Sequence, residues 1–266
     1  MFATGARAQC LPIAESEDVP HLHSFRTLSD AERLRQDMRS GGSMLVVGGG
    51  YTGLETAAVA RSVGMRVTLI KRDNRILGRV APAEIAAYFK ELHLNNGVRI
   101  CEGVELKILL VRRETDGVTA WLSNGGTIDA DVGVAGIGVV PETGLAAQAN
   151  LHVDDGIVVE SAGRTSDPFI YAAGGCARFP YQGAQIRLES VQNAVDMAET
   201  MVRSIAGETA AYRSIPWFWS DQYSSRLQIA GFNQGHTHVV CPQGVGNSIV
   251  HLVLQLSPRY RGGRDQ

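Results

Sequence analysis

SMLVVGGGYTGLETAAVARSVGMRVTLIKR, from Ser43 to Arg72, is the stretch that predicts the fold. The apolar run Met44 to Val47 ends in the motif Gly48-x-Gly50-x-x-Gly53, a helical stretch follows, and MRVTLI forms a second apolar run. A glycine turn between a strand and a helix, followed by another strand, is typical of a parallel βαβ unit that binds a dinucleotide. The sequence therefore predicts an α/β fold with a parallel sheet.

Each glycine of this motif has a physical task in such a unit. Gly48 permits the tight turn from strand to helix, Gly50 lets a diphosphate approach the backbone, and Gly53 lets helix and strand pack closely. The diphosphate would lie on N–H groups at the positive end of the helix dipole. The alternative is a glycine turn with a purely structural role, which is common between strands and helices.

Composition excludes several classes of function. The 266 residues carry a formal net charge of -2 and no run of basic residues, so we expect no nucleic-acid partner. The longest apolar candidate, Val132 to Val140, is too short to span a bilayer and is interrupted by glycines, so we expect no membrane segment. The four cysteines are far apart in the sequence, form no metal-binding spacing, and favour a reduced, cytoplasmic setting.

The remaining elements are predicted from hydrophobic periodicity and from turn residues. Short strands, hairpins and amphipathic helices surround the βαβ unit. We expect helices at Ser29–Met38 (capped by Ser29), Tyr51–Val63, Ala83–Leu94 (opened by Pro82) and Arg187–Ile205. We expect hairpins at Thr115-Asp116-Gly117 and, a short one, at Asp154-Asp155-Gly156, one buried strand in TIDADVGVAGIG (127–138), a strand at Pro168–Cys176 that runs into a glycine turn, and strands at Leu227–Phe232, Val239–Val240 and Ile249–Leu254. The predicted irregular segments are a polar connector at Glu15–His23, an aromatic loop at Pro216–Tyr223 and a frayed end at Ser257–Gln266.

Six segments, taken in order, resemble one family. The chain is similar to the flavin-dependent ferredoxin reductases that supply electrons to oxygenases, within the pyridine nucleotide-disulfide oxidoreductase superfamily. The segments that carry the resemblance are ATGAR (3–7), VVGGGYTGLE (46–55), GIGVVPET (136–143), RTSDPFIYAAGGCARFP (164–180), RLESVQNA (187–194) and PWFWSDQY (216–223).

The resemblance implies a Rossmann-like NAD(P)-binding domain inserted in a partial FAD-binding domain, followed by an incomplete C-terminal α+β domain. Residues 1–39 would be the end of the first FAD-domain segment and 40–160 the NAD(P) domain. Residues 161–212 would be the second FAD-domain segment and 213–266 the truncated C-terminal domain. We expect the chain to be a fragment, because Ala3-Thr4-Gly5 resembles the end of a strand.

On the nucleotide side, the resemblance assigns the diphosphate of NAD(P) to the three glycines of the motif. It places Tyr51, Thr52 and Glu55 near the nicotinamide. Taken without the resemblance, Tyr51 would be an ordinary packed aromatic residue and Glu55 a solvated helical carboxylate. The family also implies a turn between nucleotide and flavin at Gly136, Ile137 and Gly138, which could instead be a buried strand end, and an adenosine contact from Arg79.

On the flavin side, the resemblance implies FAD contacts from four separate parts of the chain. Trp217, by contrast, is expected to pack in the core. The residues assigned to FAD are Thr4, Gly5, Gly174, Gly175, Glu189, Ser190, Val191 and Trp219.

The end of the second strand indicates which nucleotide is preferred. The acid that would bind the ribose hydroxyls of NAD is absent there, and Lys71 and Arg72 take its place. Two cations can neutralise a 2′-phosphate, so we expect NADPH to be preferred over NADH. The alternative is a solvated basic strand end, with Asp73 binding the ribose.

The sequence departs from the family in two places. Gly175 stands where the family has an aspartate that hydrogen-bonds the ribityl chain, and the family's first GxGxxG would precede Ala3. The resemblance implies hydride transfer from NAD(P)H to FAD and electron transfer to a ferredoxin or rubredoxin-type carrier. No catalytic base and no metal ligand is predicted. The alternatives are an NADP-binding module without flavin and a gene fragment without function.

Overall fold

A computed structural model gives the architecture of residues 1–11, 20–112 and 116–232, together with two short strands further on. Its elements alternate between helices and strands in the first half of the chain and are mainly strands in the second. In chain order, the described elements are β1 (Ala6–Ala8), β2 (Leu22–Ser24), α1 (Leu28–Asp37), β3 (Ser43–Val47), α2 (Tyr51–Ser62), β4 (Arg66–Lys71), α3 (Ala83–Asn95), β5 (Arg99–Glu102), β6 (Leu106–Val111), β7 (Val118–Leu122), β8 (Thr127–Ala130), β9 (Val132–Ala135), β10 (Val139–Pro141), α4 (Gly144–Gln148), β11 (Ile157–Val158), β12 (Ala177–Tyr181), β13 (Ala184–Ile186), α5 (Val191–Ile205), β14 (Trp217–Gln222), β15 (Ser225–Ala230), β16 (His238–Val240) and β17 (Leu252–Leu254).

A parallel sheet with the order β2-β9-β3-β4-β5 forms the centre of the first half. β3, α2 and β4 are the predicted βαβ unit, and Val46 of β3 pairs with Leu69 of β4. Both side chains are fully buried, as is Leu54 of α2, because this face of the sheet is covered by helices. The opposite face is covered by the antiparallel sheet β6-β7-β8, so strand residues on both faces are apolar. The predicted α/β fold with a parallel sheet is confirmed. Since β2 already belongs to this sheet, the domain boundary at residue 40 stays a prediction.

The stretch at 127–138 does not form one buried strand. It divides at Asp131 into β8, which pairs with β7, and β9, which lies in the parallel sheet. The Asp131 carboxylate accepts hydrogen bonds from the Ser43 backbone N–H (2.7 Å) and hydroxyl (2.8 Å). These hydrogen bonds from Ser43 to the exposed Asp131 carboxylate fix the point where the chain passes from one sheet to the other, which the apolar pattern alone did not reveal.

The hairpin predicted at residues 115–117 is confirmed. β6 pairs with β7 in antiparallel register on either side of it. The Arg112 N–H donates to the Gly117 carbonyl oxygen (2.9 Å), and Asp116 (φ 50°) and Gly117 (φ 104°) both lie in the left-handed region. At the second predicted hairpin, Val153 and Ile157 form only an isolated bridge, and β11 then pairs with β12 in parallel.

A second core lies under α5. Met197 and Met201 of this helix pack with Phe179 of β12, and all three are buried. α5 begins at Val191 and not at Arg187, because the Ser190 side chain caps it by accepting from the Asn193 N–H (3.2 Å). Of the strand running into a glycine turn that is predicted at 168–176, only the turn forms, as a 3₁₀ turn at Gly174–Cys176, and Tyr171 and Ala172 make isolated bridges before it.

The aromatic stretch 216–223 is a strand rather than a loop. β14 pairs with β15 along its whole length, and Trp219 lies opposite Gln228. Alternate residues face opposite sides: Trp217 and Trp219 are partly exposed, whereas Ser220 is fully buried. This alternation is the period of a half-buried strand. The strand predicted at 227–232 is therefore β15, which begins two residues earlier.

Two helix ends differ from the sequence prediction. α1 is capped by Thr27 and not by Ser29, because Thr27 and Asp30 form a reciprocal capping box. Pro82 is the N-cap of α3, one position before the first helical turn. The predicted connector at 15–23 runs into β2 at its end, and its residues 15–19 lie outside the described part.

In the last part of the chain, β16 and β17 pair in antiparallel register. They correspond to the strands predicted at 239–240 and 249–254, of which residues 249–251 lie outside the described residues. The end predicted to fray also lies outside them. Among the residues that the structure describes, no helix is long and apolar enough to cross a membrane.

Candidate functional site

The glycine turn between β3 and α2 is shaped so that two of its positions accept only glycine. Gly48 has φ 115°, and a Cβ atom there would lie 2.2 Å from the carbonyl oxygen of Gly136. A Cβ atom at Gly53 would lie 2.1 Å from the carbonyl oxygen of Gly48. Real Cβ contacts are much longer, so these glycines hold α2, β3 and the end of β9 in close contact.

Gly50 differs from its neighbours because it faces open space. Nothing lies within 4 Å of the position of a Cβ atom at Gly50. It is the N-cap of α2, and no side chain within the described residues caps this end of the helix. The first N–H groups of a helix have no partner inside it and carry the positive end of its dipole. The arrangement fits a diphosphate lying against this backbone.

A cleft of about 610 Å³ opens beside the N-terminal half of α2. Residues from both cores of the molecule line it, although they are far apart in the sequence. The predicted site residues on its walls are Gly5, Tyr51, Thr52, Glu55, Gly174, Gly175, Glu189, Ser190, Val191 and Trp219. The nicotinamide-side and flavin-side residues of the sequence prediction therefore meet in one cleft.

The wall of the cleft formed by α2 and β14 is aromatic and acidic. The rings of Tyr51 and Phe218 lie 4.0 Å apart. The Ser220 hydroxyl donates a 2.6 Å hydrogen bond to the Glu55 carboxylate. Burial raises the pKa of Glu55, although the bond from Ser220 opposes this effect, and the charge of Asp221 raises it further. Burial, with a smaller contribution from Glu55, raises the pKa of Tyr51 as well.

The opposite wall consists of the N-terminus of α5 and the turn at Gly174. Gly174 has φ 72°, whereas Gly175 has ordinary backbone geometry and the nearest atom to a Cβ there is 4.0 Å away. Arg187 donates to the Glu189 carboxylate (2.7 Å) and to the Gly175 carbonyl oxygen (3.4 Å). Arg187 therefore joins the turn to Glu189, and Gly175 leaves room for a larger side chain.

Nine further residues line the cleft and were not predicted as site residues from the sequence. Arg26 is the only cation among the residues that line this cleft, and its guanidinium donates to the Ala6 carbonyl oxygen (2.8 Å). It lies in a short segment between β2 and α1 that carries no motif, so no local signal identified it. The nine residues are Ala3, Ala6, Phe25, Arg26, Val139, Ala173, Ala194, Ala198 and Phe218.

The remaining predicted residues lie outside the cleft walls. Gly136, Ile137 and Gly138 form the turn after β9, and the Gly138 carbonyl oxygen accepts from the Gln9 N–H (2.9 Å). The Thr4 hydroxyl donates to the Glu142 carbonyl oxygen (2.5 Å). Trp217 does not pack in the core as expected: it is 36% exposed and lies beside Trp219 at 5.1 Å.

The cationic end of β4 is partly neutralised by its own neighbour. Lys71 forms a 2.8 Å ion pair with Asp73, and its side chain is only 18% exposed. Arg72 is 75% exposed and 3.9 Å from the same carboxylate. The hydrogen bond from Lys71 holds the pKa of Asp73 below its usual value, with smaller contributions from the charges of Arg72 and Arg79. The three predicted cations therefore gather around one carboxylate.

Other chemistries find little support in the described residues. No group of three His, Cys, Asp or Glu side chains there could hold a metal ion. Cys10, Cys101 and Cys176 are not joined in a disulfide. Cys241 lies outside the described part.

Comparison with known proteins finds relatives that match most of the chain. The family model "Pyridine nucleotide-disulphide oxidoreductase" matches residues 1–198, and the model "Reductase C-terminal" matches residues 217–256. Rhodocoxin reductase of Rhodococcus erythropolis is 44% identical over 245 residues, which are 90% of this chain and 56% of the relative. Putidaredoxin reductase of Pseudomonas putida is 39% identical over 246 residues, which are 90% of this chain and 58% of the relative.

Solved structures give the same result. The crystal structure of the covalent putidaredoxin reductase–putidaredoxin complex superposes with a TM-score of 0.90 at 35% identity, over 95% of this chain and 62% of that chain. The ferredoxin reductase for the CYP199A2 system of Rhodopseudomonas palustris gives 0.86 at 39% identity, over 91% and 60%. The chain therefore spans a little more than half the length of the curated relatives that it matches.

Proposed function

Because the chain belongs to the pyridine nucleotide-disulphide oxidoreductase family, we propose that it is a flavin-dependent NAD(P)H oxidoreductase whose electron acceptor is an iron–sulfur protein of the ferredoxin or rubredoxin type. The observation that carries this proposal is the cleft in which Tyr51 and Glu55 face Gly175 and Ser190. Relatives named as reductases of rhodocoxin and putidaredoxin support the choice of acceptor.

The glycine turn fits the diphosphate of the nucleotide. Gly50 leaves the N-terminus of α2 open, while Gly48 and Gly53 bring the strand and the helix close enough to shape the turn. Tyr51 and Thr52, in the first turn of the helix, would then lie between the diphosphate and the cleft. Their place in the cleft wall would direct the nicotinamide end of the nucleotide into it.

The cleft fits the ring system of a flavin. It is lined on one side by aromatic rings and on the other by the N-terminus of α5, whose dipole favours electron-rich groups. The flavin, when bound, supplies the chemistry that accepts a hydride from NAD(P)H and releases two electrons one at a time. Ser190, Val191 and Trp219 would hold it, and the bulk of Tyr51 and Phe218 would keep water from the reacting faces.

We propose that NADPH is preferred over NADH. Arg72 projects from the end of β4 and is mostly exposed, so it can bind a 2′-phosphate. Lys71 can do so only if the phosphate competes with Asp73 for its ammonium group. The preference for NADPH should therefore be modest, because an exposed ion pair contributes only about 1 kcal/mol or less to the free energy of binding.

Flavin loading of the purified chain tests the proposal. After incubation with FAD and removal of the excess, stoichiometric flavin absorbance that is bleached anaerobically by NADPH supports a reductase. A colourless protein that still binds NADPH supports the nucleotide-binding module, and a chain that binds neither ligand supports a fragment without function.

A matched pair of variants locates the flavin site. Gly175→Leu fills the cleft and should abolish flavin binding, whereas Gly144→Leu places the same side chain at an open glycine of α4 and should have no effect on flavin binding. Equal loading of both variants would show that flavin binds elsewhere.

A further inference from the structure

A continuous chain of hydrogen bonds leads from the cleft into the protein interior. The Ser220 hydroxyl lies 2.6 Å from the Glu55 carboxylate, and the side-chain nitrogen of Gln222 lies 3.0 Å from the Ser220 hydroxyl. The Gln222 oxygen lies 2.8 Å from Nε2 of His93, and Nδ1 of His93 lies 3.3 Å from the Tyr223 hydroxyl. Ser220, Gln222 and His93 are fully buried. The chain joins α2, β14 and α3, which are remote in the sequence.

At a pH where Glu55 is ionised, the direction of every bond is fixed. A carboxylate only accepts, so Ser220 donates to it. The Ser220 oxygen must then accept from the NH₂ group of Gln222, and the carbonyl of Gln222 faces His93. His93 therefore carries its proton on Nε2, and its bare Nδ1 accepts from the Tyr223 hydroxyl. All four donors point towards Glu55, and hydrogen bonds aligned in this way polarise one another.

This chain of hydrogen bonds does not conduct protons. The amide of Gln222 would have to adopt an imidic form to pass a proton between Ser220 and His93, whereas side chains such as His and Tyr exchange protons directly. Burial also holds the pKa of His93 below its usual value, so the imidazole stays neutral. The chain can therefore orient groups and stabilise charge, but it does not deliver protons to the cleft.

We propose that Ser220, Gln222 and His93 are positioning residues that hold Glu55 ionised and fixed in orientation at the wall of the cleft. The same chain holds β14 against α2, so it also sets the position of Phe218 and Trp219. The role of Glu55 beside a nicotinamide rests on the proposed function, whereas the action of the chain on Glu55 does not.

Other titratable groups lie around Glu55 on the neighbouring elements, and the charge of Asp221 acts on it. Tyr51 lies one turn earlier on α2, and Asp221 on β14 opposes ionisation by its charge while its backbone N–H favours it. Arg26 and Glu189 line the same cleft from other elements. These groups are unchanged in variants of Gln222 and His93, so such variants isolate the contribution of the chain.

The pKa of Glu55 in the ligand-free protein is the direct test. Carboxyl ¹³C NMR of glutamate-labelled protein measures it, and the signal is assigned by its loss in Glu55→Gln. Ser220→Ala should raise the pKa by about 1 to 2 units, since a hydrogen bond to a charged group is removed. Gln222→Met should raise it by a smaller amount, about 0.3 unit, through weaker polarisation of Ser220.

Ser225→Ala is the matched control. It removes the 2.9 Å hydrogen bond between Ser225 and Tyr88, which also joins α3 to the β14–β15 hairpin but lies outside the chain. It should leave the pKa of Glu55 unchanged. The proposal is overturned if Gln222→Met also leaves this pKa unchanged, or if Ser225→Ala shifts it as much as Gln222→Met does. In either case the chain of hydrogen bonds only packs the hairpin against the helices.

The tautomer of His93 provides an independent readout. Long-range ¹H–¹⁵N spectra should show the proton on Nε2 at a pH where Glu55 is ionised, and Nδ1 protonation would overturn the proposal. Both measurements use protein without flavin or nucleotide. A failure to bind FAD would therefore contradict the proposed function while leaving the role of the chain open to the same test.

Discussion

Gly53→Ala should lower the stability of the protein, whereas Gly50→Ala should weaken nucleotide binding and leave the stability nearly unchanged. At Gly53 the new methyl group would lie 2.1 Å from the Gly48 carbonyl oxygen and 3.3 Å from Cγ1 of Val46. The first contact is with backbone, so no flexible side chain can move away and α2 must shift from β3. At Gly50 the backbone is extended and the methyl group meets nothing within 4 Å.

The magnitudes follow from these contacts. Overpacking costs about 1 to 3 kcal/mol, and a backbone contact this short places Gly53→Ala at the upper end. A loss of about 3 kcal/mol lowers Tm by about 6 to 12 °C in a chain of this size. In Gly50→Ala, the weaker N-cap and the reduced entropy of the unfolded chain nearly cancel, so stability changes by about 0.5 kcal/mol or less. The methyl group would instead meet the nucleotide and weaken its binding about tenfold.

Urea unfolding followed by circular dichroism measures the stabilities, and calorimetric titration with NADPH measures binding. Gly144→Ala, at an open glycine of α4, is the control for the exchange itself. Unchanged stability of Gly53→Ala would refute the close contact, and unchanged nucleotide affinity of Gly50→Ala would refute the assignment of the diphosphate to this turn.

Three further predictions address the flavin, the nucleotide and pH. Gly175→Asp should tighten FAD binding by about tenfold or more relative to Gly175→Asn in flavin-fluorescence titrations, because a charge-assisted hydrogen bond contributes about 1.5 to 3 kcal/mol and the position has room for the side chain. Asp73→Asn should raise the affinity for NADPH up to about fivefold without raising that for NADH, whereas Arg72→Ala should lower only the affinity for NADPH; equal effects on both nucleotides in calorimetry would contradict the assignment. Because the pKa of His93 is lowered from 6.5 in the folded protein, the unfolded chain takes up a proton there that the native chain does not. The free energy of unfolding should therefore fall as the pH drops below 6.5, and it should fall less in His93→Gln. Urea unfolding at several pH values measures both.

The βαβ unit was predictable because its determinants are local. Gly48, Gly50 and Gly53 meet their physical constraints within the turn and the helix that they join. The apolar strands on either side report their burial directly, since both faces of a parallel sheet are covered. The resemblance to flavin-dependent ferredoxin reductases is confirmed by the family model and by the relatives for the same reason: its segments are the turns and helix starts that local sequence specifies.

The strand β14 was not predictable from the same kind of pattern. Its exposed face carries Trp217 and Trp219, and its buried face carries the polar residues Ser220 and Gln222. Alternation is thus present, but with the polar residues inside and two large apolar residues partly outside. A prediction from hydrophobicity alone assigns the wrong face of β14 to the interior or predicts a loop. The polar side chains can be buried only because residues remote in the sequence form hydrogen bonds with them.

Those partners explain why the chemistry of the cleft exceeds what the glycine motif indicates. Ser220 contacts Glu55 across 165 positions of sequence, and Gln222 contacts His93 across 129. In the sequence, His93 lies near the end of a predicted helix and Ser220 within the predicted aromatic loop. Only the fold brings them into one chain of hydrogen bonds, which runs from Tyr223 through His93, Gln222 and Ser220 to the Glu55 carboxylate. The glycine motif therefore predicts a nucleotide site, whereas the hydrogen-bonded surroundings of Glu55 come from residues that no local pattern connects.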